Sequence, residues 1–263
     1  MSARAPEATL ARTPEGPPPP PAVQRLRLRY AKRGRLRFSS HRDFQRALER
    51  ALRRAAVPMA YSAGFNPHPR ISYANAAPTG AASEAEYIEL ALAERCDVEL
   101  VRAALDAALP PGLDIVDAVQ AGPGVLAERL QASVWRIELA GVAPDDGAVT
   151  DVVRRFLEAE RVEVQRMTKN GLRTFDAREP VVRLELTERS ASSPAPACAI
   201  LRVVVRHVTP AVRPDDVLAA LRAVADFAPP SPPLVTRLAQ GPLDEAAGSV
   251  TDPLVPDRDD GGA

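Results

Sequence analysis

Polar and apolar residues alternate over the stretch that opens the folded body. Leu26, Leu28 and Tyr30 fall on one side, and Arg25, Arg27 and Arg29 on the other. A period of two marks a half-buried strand, so the pattern predicts a strand over 23–30 with three arginines facing solvent. Arg33-Gly34 reads as a turn, and 35–38 as continued extended chain. The period then changes. Phe44, Leu48, Ala51, Leu52 and Ala55 recur at helical spacing, with Arg42, Arg46, Arg50, Arg53 and Arg54 on the opposite side. Ser40 followed by Asp43 is a capping signature for the start of that helix, and Pro58 ends it. Short strands over 59–62 and 71–74, a strand over 85–93, an amphipathic helix over 97–109 and a strand over 113–120 follow. The order βαββαβ is the grammar of a ferredoxin-like unit.

The same grammar returns further on. The pattern predicts strands over 132–141, 161–168, 181–188, 199–208 and 234–240, with helices over 147–160 and 214–227. Pro214 stands at the first helical position of the second helix, with Asp215 and Asp216 in its first turn. The expected fold is therefore α+β, with two ferredoxin-like halves in tandem over 23–122 and 130–242. Residues 1–22, which contain five consecutive prolines, and the acidic, turn-rich residues 243–263 read as disordered tails.

Composition narrows the class. Apolar residues make up 46% and charged residues 26%, as in ordinary globular proteins. No apolar run approaches the ~18 residues of a membrane span, and the N-terminus lacks a signal-peptide core, so no membrane association and a cytoplasmic location are expected. Cys96 and Cys198 are isolated, so no disulfide framework is implied and a CxxC site is excluded. The formal net charge of zero hides an asymmetry: residues 23–70 hold thirteen Lys and Arg against Asp43 and Glu49. Such a segment attracts polyanions, unless the chain's own acidic segments neutralise it.

Candidate chemistry clusters in the same place. Ser40, His41 and Asp43 open the helix, and the loop Tyr61-Ser62-Ala63-Gly64-Phe65-Asn66-Pro67-His68-Pro69-Arg70 follows it. Two of the three histidines lie here. The prolines restrict Asn66 and His68 to extended geometry, so the loop reads as a rigid display of Asn, His and Arg beside a basic helix. Quieter roles stand beside these: Ser40 and Asp43 as a helix cap, His68 as a loop brace, and Phe38, Phe44 and Phe65 as core. Ser40, His41 and Asp43 are too close in sequence for a nucleophile relay. A metal site from His41, His68 and Asp43 or Glu86 has only two ligands of clear type, and no metal or cofactor is expected. A second polar cluster, Lys169, Arg173, Asp176 and Arg178 around the turn Asn170-Gly171, reads either as a second anion-binding edge or as a hairpin in which Asp176 pairs with Arg173 or Arg178.

These residues carry a family resemblance. Ser40-His41-x-Asp43, Tyr61-Ser62-x-Gly64-Phe65-Asn66-Pro67-His68-Pro69 and Gly80-x-x-Ser83-x-x-Glu86-Tyr87 resemble the radical SAM-linked protein family, the DUF2344 domain, over about 23–220. The resemblance implies a working relationship with a radical SAM protein and supplies no settled activity. This chain lacks the cysteines for an iron–sulfur cluster, so any such cluster belongs to a partner.

The expected function is a non-catalytic accessory protein that presents RNA, of tRNA type, or another anionic substrate to a radical SAM enzyme. Arg25, Arg27, Arg29, Arg42, Arg46 and Arg50 would form the basic face, and the loop to Arg70 would supply local contacts. The alternatives are an adaptor that docks on the partner without nucleic acid, and an enzyme that uses His41, His68 and Asp43.

Overall fold

The computed structural model describes residues 20–63, 65–143, 145–169, 171–187 and 198–260; residues 1–19 of the expected tail over 1–22, Gly64 and Asn170 lie outside them. The first half runs β1 (Gln24–Lys32), a 3-10 turn (Gly34–Phe38), α1 (His41–Arg54), β2 (Ile71–Ala74), β3 (Ala82–Leu92), α2 (Val98–Ala108) and β4 (Leu113–Gln120). A short α3 (Leu126–Arg129) leads into β5 (Ala132–Ala140), α4 (Gly147–Glu158), β6 (Glu163–Thr168), β7 (Gly171–Asp176), β8 (Val181–Thr187), β9 (Cys198–Arg206), α5 (Pro214–Ala225) and β10 (Leu234–Gly241). The chain continues as β11 (Leu243–Asp244), β12 (Ser249–Val250) and α6 (Val255–Asp260).

Eight strands form one mixed, mostly antiparallel sheet in the order β4-β1-β3-β10-β5-β9-β8, with β2 also paired to β3, and β11 pairs separately with β12. Its one parallel junction joins β10 to the start of β3, where Thr236 faces Ala82 and Arg237 faces Ser83. The α+β character follows the periodicity, with local differences. Residues 59–62 make only the isolated bridges Met59–Leu92 and Tyr61–Pro69 instead of a strand. Residues 35–38 form a 3-10 turn, entered through Gly34 at a φ of 54°. β6 and β7 pair with each other and leave the main sheet.

One face of the sheet carries the large cores. Leu26, Leu28, Tyr30, Ile88 and Leu90 pack under α1 and α2, and Ile137, Leu139, Leu201 and Val203 pack under α4 and α5. The other face is where sequence and structure part. The expected tail over 243–263 is ordered through 260 and covers that face. Leu254 packs with Ala85, Tyr87, Val119, Leu126 and Leu130, while Leu243 and Val250 close over Ala132, Val134 and Val204. The close approach is legible at Gly241, where a Cβ would stand 2.1 Å from the Thr251 carbonyl oxygen. Composition marked this segment as polar and turn-rich; what orders it is the apolar back face it covers, which a local reading does not see.

The returning segment also changes β1. Arg27 does point away from Leu26 and Leu28, yet it is only 1% exposed. Its Nε donates to Glu89 at 3.0 Å, its Nη1 to Asp257 at 2.7 Å, and its Nη2 to the Gly124 carbonyl. Arg129 donates to both oxygens of Asp257, and the Gly122 N–H adds a further bond at 3.0 Å. Burial pushes the Asp257 carboxyl up, but these donors outweigh it and hold it below its ordinary range. Arg27 is therefore a structural ion-pair residue, and its assignment to an open basic face is corrected.

Candidate functional site

The α1 surface keeps the charge that β1 loses. Arg42, Arg46, Arg50 and Arg53 follow one another at helical spacing on the side opposite Phe44, Leu48, Ala51 and Leu52, and all four are exposed. None has a carboxylate ion-pair partner among the described residues. Arg54 differs, since it donates to the Ala108 carbonyl at 2.9 Å. Just before the helix, Arg37 stacks on Phe38, its guanidinium carbon 4.6 Å from the ring centre, and that ring is 60% exposed.

Ser40 and Asp43 form the full capping box. The Asp43 N–H donates to Ser40 Oγ at 3.2 Å, while the Ser40 N–H and hydroxyl donate to Asp43 Oδ2 at 3.1 and 2.6 Å. The Ser40 hydroxyl and N–H hold the Asp43 carboxyl below its ordinary range. Both side chains are thus occupied in starting the helix. Ser40→Ala is expected to lower stability by about 1 kcal/mol, seen as a lower urea midpoint at unchanged slope.

His41 lies edge-on to Tyr73, ring centres 4.9 Å apart, and touches Gln45 at 3.0 Å. Burial, with Glu49 nearby, pushes the Tyr73 hydroxyl up to about 12, so it stays protonated. Tyr73 lies on β2, three residues beyond Arg70, or roughly 10 Å of strand. Tyr73 thus ties α1 to the strand that follows the loop. Ser62 and His68 brace it: the Ser62 N–H donates to the His68 carbonyl at 2.9 Å, and the His68 N–H to Ser62 Oγ at 3.1 Å. Asn66 and His68 are exposed, as are Tyr61 (41%) and Phe65 (68%). Core burial, the quieter reading of the phenylalanines, holds for Phe44 alone, which stacks on Tyr30 at 4.2 Å. Arg70 turns to the back face, where it lines a shallow groove of about 290 Å³ with Arg25, Ser72 and Glu89. Arg25 reaches Glu89 at 3.4 Å, and Arg29 is half-buried beside Tyr87. The expected patch is thus divided: α1 meets β2 through Tyr73, while Arg25, Arg29 and Arg70 lie behind the sheet.

In the second cluster, Asp176 pairs with no arginine among the described residues. It accepts from the backbone N–H groups of Val162, Arg178 and Glu179. Arg178 donates to the Val181 and Leu157 carbonyls and lies over Phe156, so both residues are structural. Lys169 and Arg173 remain exposed. Glu86 is buried between Ala77 N–H and Arg237 and cannot join His41 and His68 around a metal. Among the described residues, no group of three or more His, Cys, Asp or Glu is placed to hold one.

A site absent from the sequence reading lies between the halves. A cavity of about 640 Å³ is lined by Asn75, Ser133, Trp135, His207, Arg213 and Arg237, among others. Beneath it sits a buried polar cluster of Lys32, Glu86 and Arg237. Arg237 Nη1 donates to the Asn75 carbonyl at 2.6 Å and to Glu86 at 3.1 Å, and its guanidinium covers the Trp135 ring at 4.6 Å. Lys32 reaches the Pro78 carbonyl at 3.4 Å; burial pulls its ammonium down from the ordinary value, with Glu86 opposing. His207 bridges Leu130 carbonyl and Ser133 Oγ, each at 2.7 Å, which fits a neutral ring with its proton on Nδ1. Burial pulls its pKa down, and Arg237 adds to that. Stability is thus expected to be insensitive to this group above pH ~6.5 and to fall as pH drops below it, because the unfolded chain takes up the proton first. Titration of the imidazole by NMR, with urea melts across that window, checks the sign.

A mixed α/β chain with a free basic helix and a polar cavity at its parallel strand junction is the class that these features define. Over residues 25–214 the chain matches the family described as "Uncharacterized protein conserved in bacteria (DUF2344)", and it belongs to that family. No curated protein matches it. Among solved structures it is similar to "Crystal Structure of an Unknown Protein from Galdieria sulphuraria", with 14% identity over 78% of this chain and 93% of that one and a TM-score of 0.24.

Proposed function

We propose that the protein is a non-catalytic accessory protein that holds RNA, of tRNA type, for a separate radical SAM enzyme of the cytoplasm. The observation that carries the RNA reading is the α1 stripe of Arg42, Arg46, Arg50 and Arg53, exposed and without carboxylate partners among the described residues. Phosphate attraction needs such unneutralised cations, and exposed aromatic rings suit unstacked bases. Phe38, Tyr61 and Phe65 are rings of that kind. The radical SAM partner is proposed from the family resemblance. We also read each half as ferredoxin-like; the orders β4-β1-β3-β2 and β10-β5-β9-β8 support that reading.

Titration with bulk tRNA, followed by anisotropy from about 50 to about 200 mM salt, tests the proposal. Binding that weakens steeply with salt supports it. Absence of binding at the lowest salt defeats it and leaves the adaptor reading.

A further inference from the structure

We propose that the cavity between the halves binds a small phosphomonoester, gripped by the free edge of Arg237. A guanidinium offers five N–H groups in a planar fork. In Arg237 the two on Nη1 are taken by Asn75 and Glu86, Nε is buried with no partner, and Nη2 makes no hydrogen bond among the described residues. The residue is only 5% exposed, and its Nε donor is held out of bulk water with its hydrogen bond unmade. A buried donor is costly unless something accepts from it, and the Nε–Nη2 edge is the geometry that grips two oxygens of one oxyanion. The volume, about 640 Å³, lies within the range of small-ligand pockets.

Charge selects among oxyanions. Lys32 and Arg237 stand against Glu86 alone, which leaves one positive charge in excess. Arg213 adds a guanidinium at the exposed rim, with the Asp215 carboxylate beside it, and the neighbouring Asp216 is paired to Arg166. Two guanidinium groups, one buried and one at the rim, suit a phosphomonoester, which carries about −1.5 to −2 at neutral pH, better than a single carboxylate. The remaining lining is polar in a complementary way. Ser133, donating its proton to His207, keeps oxygen lone pairs free, and the Asn75 carboxamide lies at the opening. Trp135 is covered by Arg237 and so is not a free stacking platform; the phosphate sits deep and the rest of the ligand extends toward Arg213. This site is separate from α1, so it stands or falls apart from the RNA reading.

Trp135 is the chain's one tryptophan, and its fluorescence reports the cavity directly. The full chain is titrated with inorganic phosphate, with the four common 5′-nucleoside monophosphates, and with the matching nucleosides. The expected result is a saturable fluorescence change with at least one monophosphate and roughly tenfold or weaker binding of its nucleoside. Arg213→Gln, an exposed change that leaves the fold intact, is expected to weaken monophosphate binding several-fold, and Arg237→Lys more strongly. Replacing the four α1 arginines is expected to leave it unchanged. No response up to several millimolar, equal binding of nucleoside and monophosphate, or affinity untouched by Arg213→Gln and Arg237→Lys would each overturn the proposal.

Discussion

A chain ending at residue 242 is expected to fail to form a soluble monomer, although the two βαβ-rich halves remain complete within it. Leu254 is fully buried, and truncating such a leucine to alanine alone costs about 2–5 kcal/mol. Asp257 is also buried and neutralises Arg27 and Arg129; removing one partner of a buried pair costs about 3–5 kcal/mol because the other charge is stranded. Together these rival the whole ~5–15 kcal/mol stability of a domain, before the newly exposed Tyr87, Val119, Val134 and Val204 are considered. Asp257→Asn in the full chain gives a graded version, expected to lower the thermal midpoint strongly. The same pair sets a pH limit. The folded carboxyl is held below its unfolded value near 4, so its contribution is present above that pH and is lost as pH falls through the folded value. A truncated chain that is soluble and melts where the full chain does would show that the C-terminal segment is dispensable.

The second large effect is on binding. Replacing Arg42, Arg46, Arg50 and Arg53 with Gln removes four exposed cations and no buried contact, so stability is expected to change by less than about 0.5 kcal/mol per site. If all four meet phosphates, counterion release makes their combined contribution about three decades of affinity in ~0.1 M salt. Arg25→Gln removes a residue already paired to Glu89 on the back face and is expected to change tRNA affinity little. The contrast between the two variants follows from geometry, since both remove arginines from the same basic stretch of sequence.

Much of the fold was legible because its elements are amphipathic over their whole length. β1, α1, β3, α2, α4 and α5 fall where period two or period 3.6 places them. The failures share one cause, which is a surface covered by residues distant in sequence. Alternation placed Arg25, Arg27 and Arg29 on one face of β1, and they share it; nothing local to β1 showed that α3 and residues 252–260 return over that face and bury Arg27. The cavity was hidden for the same reason. Lys32, Glu86, Ser133, His207 and Arg237 come from four strands and the segment just after a fifth, and meet only where β3 pairs with β10 and β5 with β9. The available signals were weak: Glu86 within an apolar strand run, and a lone histidine at the end of the valine-rich β9 segment. Arg237 also lies beyond the span that matches the family. At α1, by contrast, the helix lies on the outside of the protein, and the expected exposure of its arginines needs no knowledge of distant chain.

The salt dependence of tRNA affinity, measured side by side for the intact chain and for the Arg42, Arg46, Arg50 and Arg53 variant, tests the central claim most directly. The intact chain is expected to show a steep negative slope of log affinity against log salt, and the variant a slope shallower by about 3, near 0.7–0.9 for each lost phosphate contact. Identical slopes would mean that these four arginines meet no phosphates and would contradict the account.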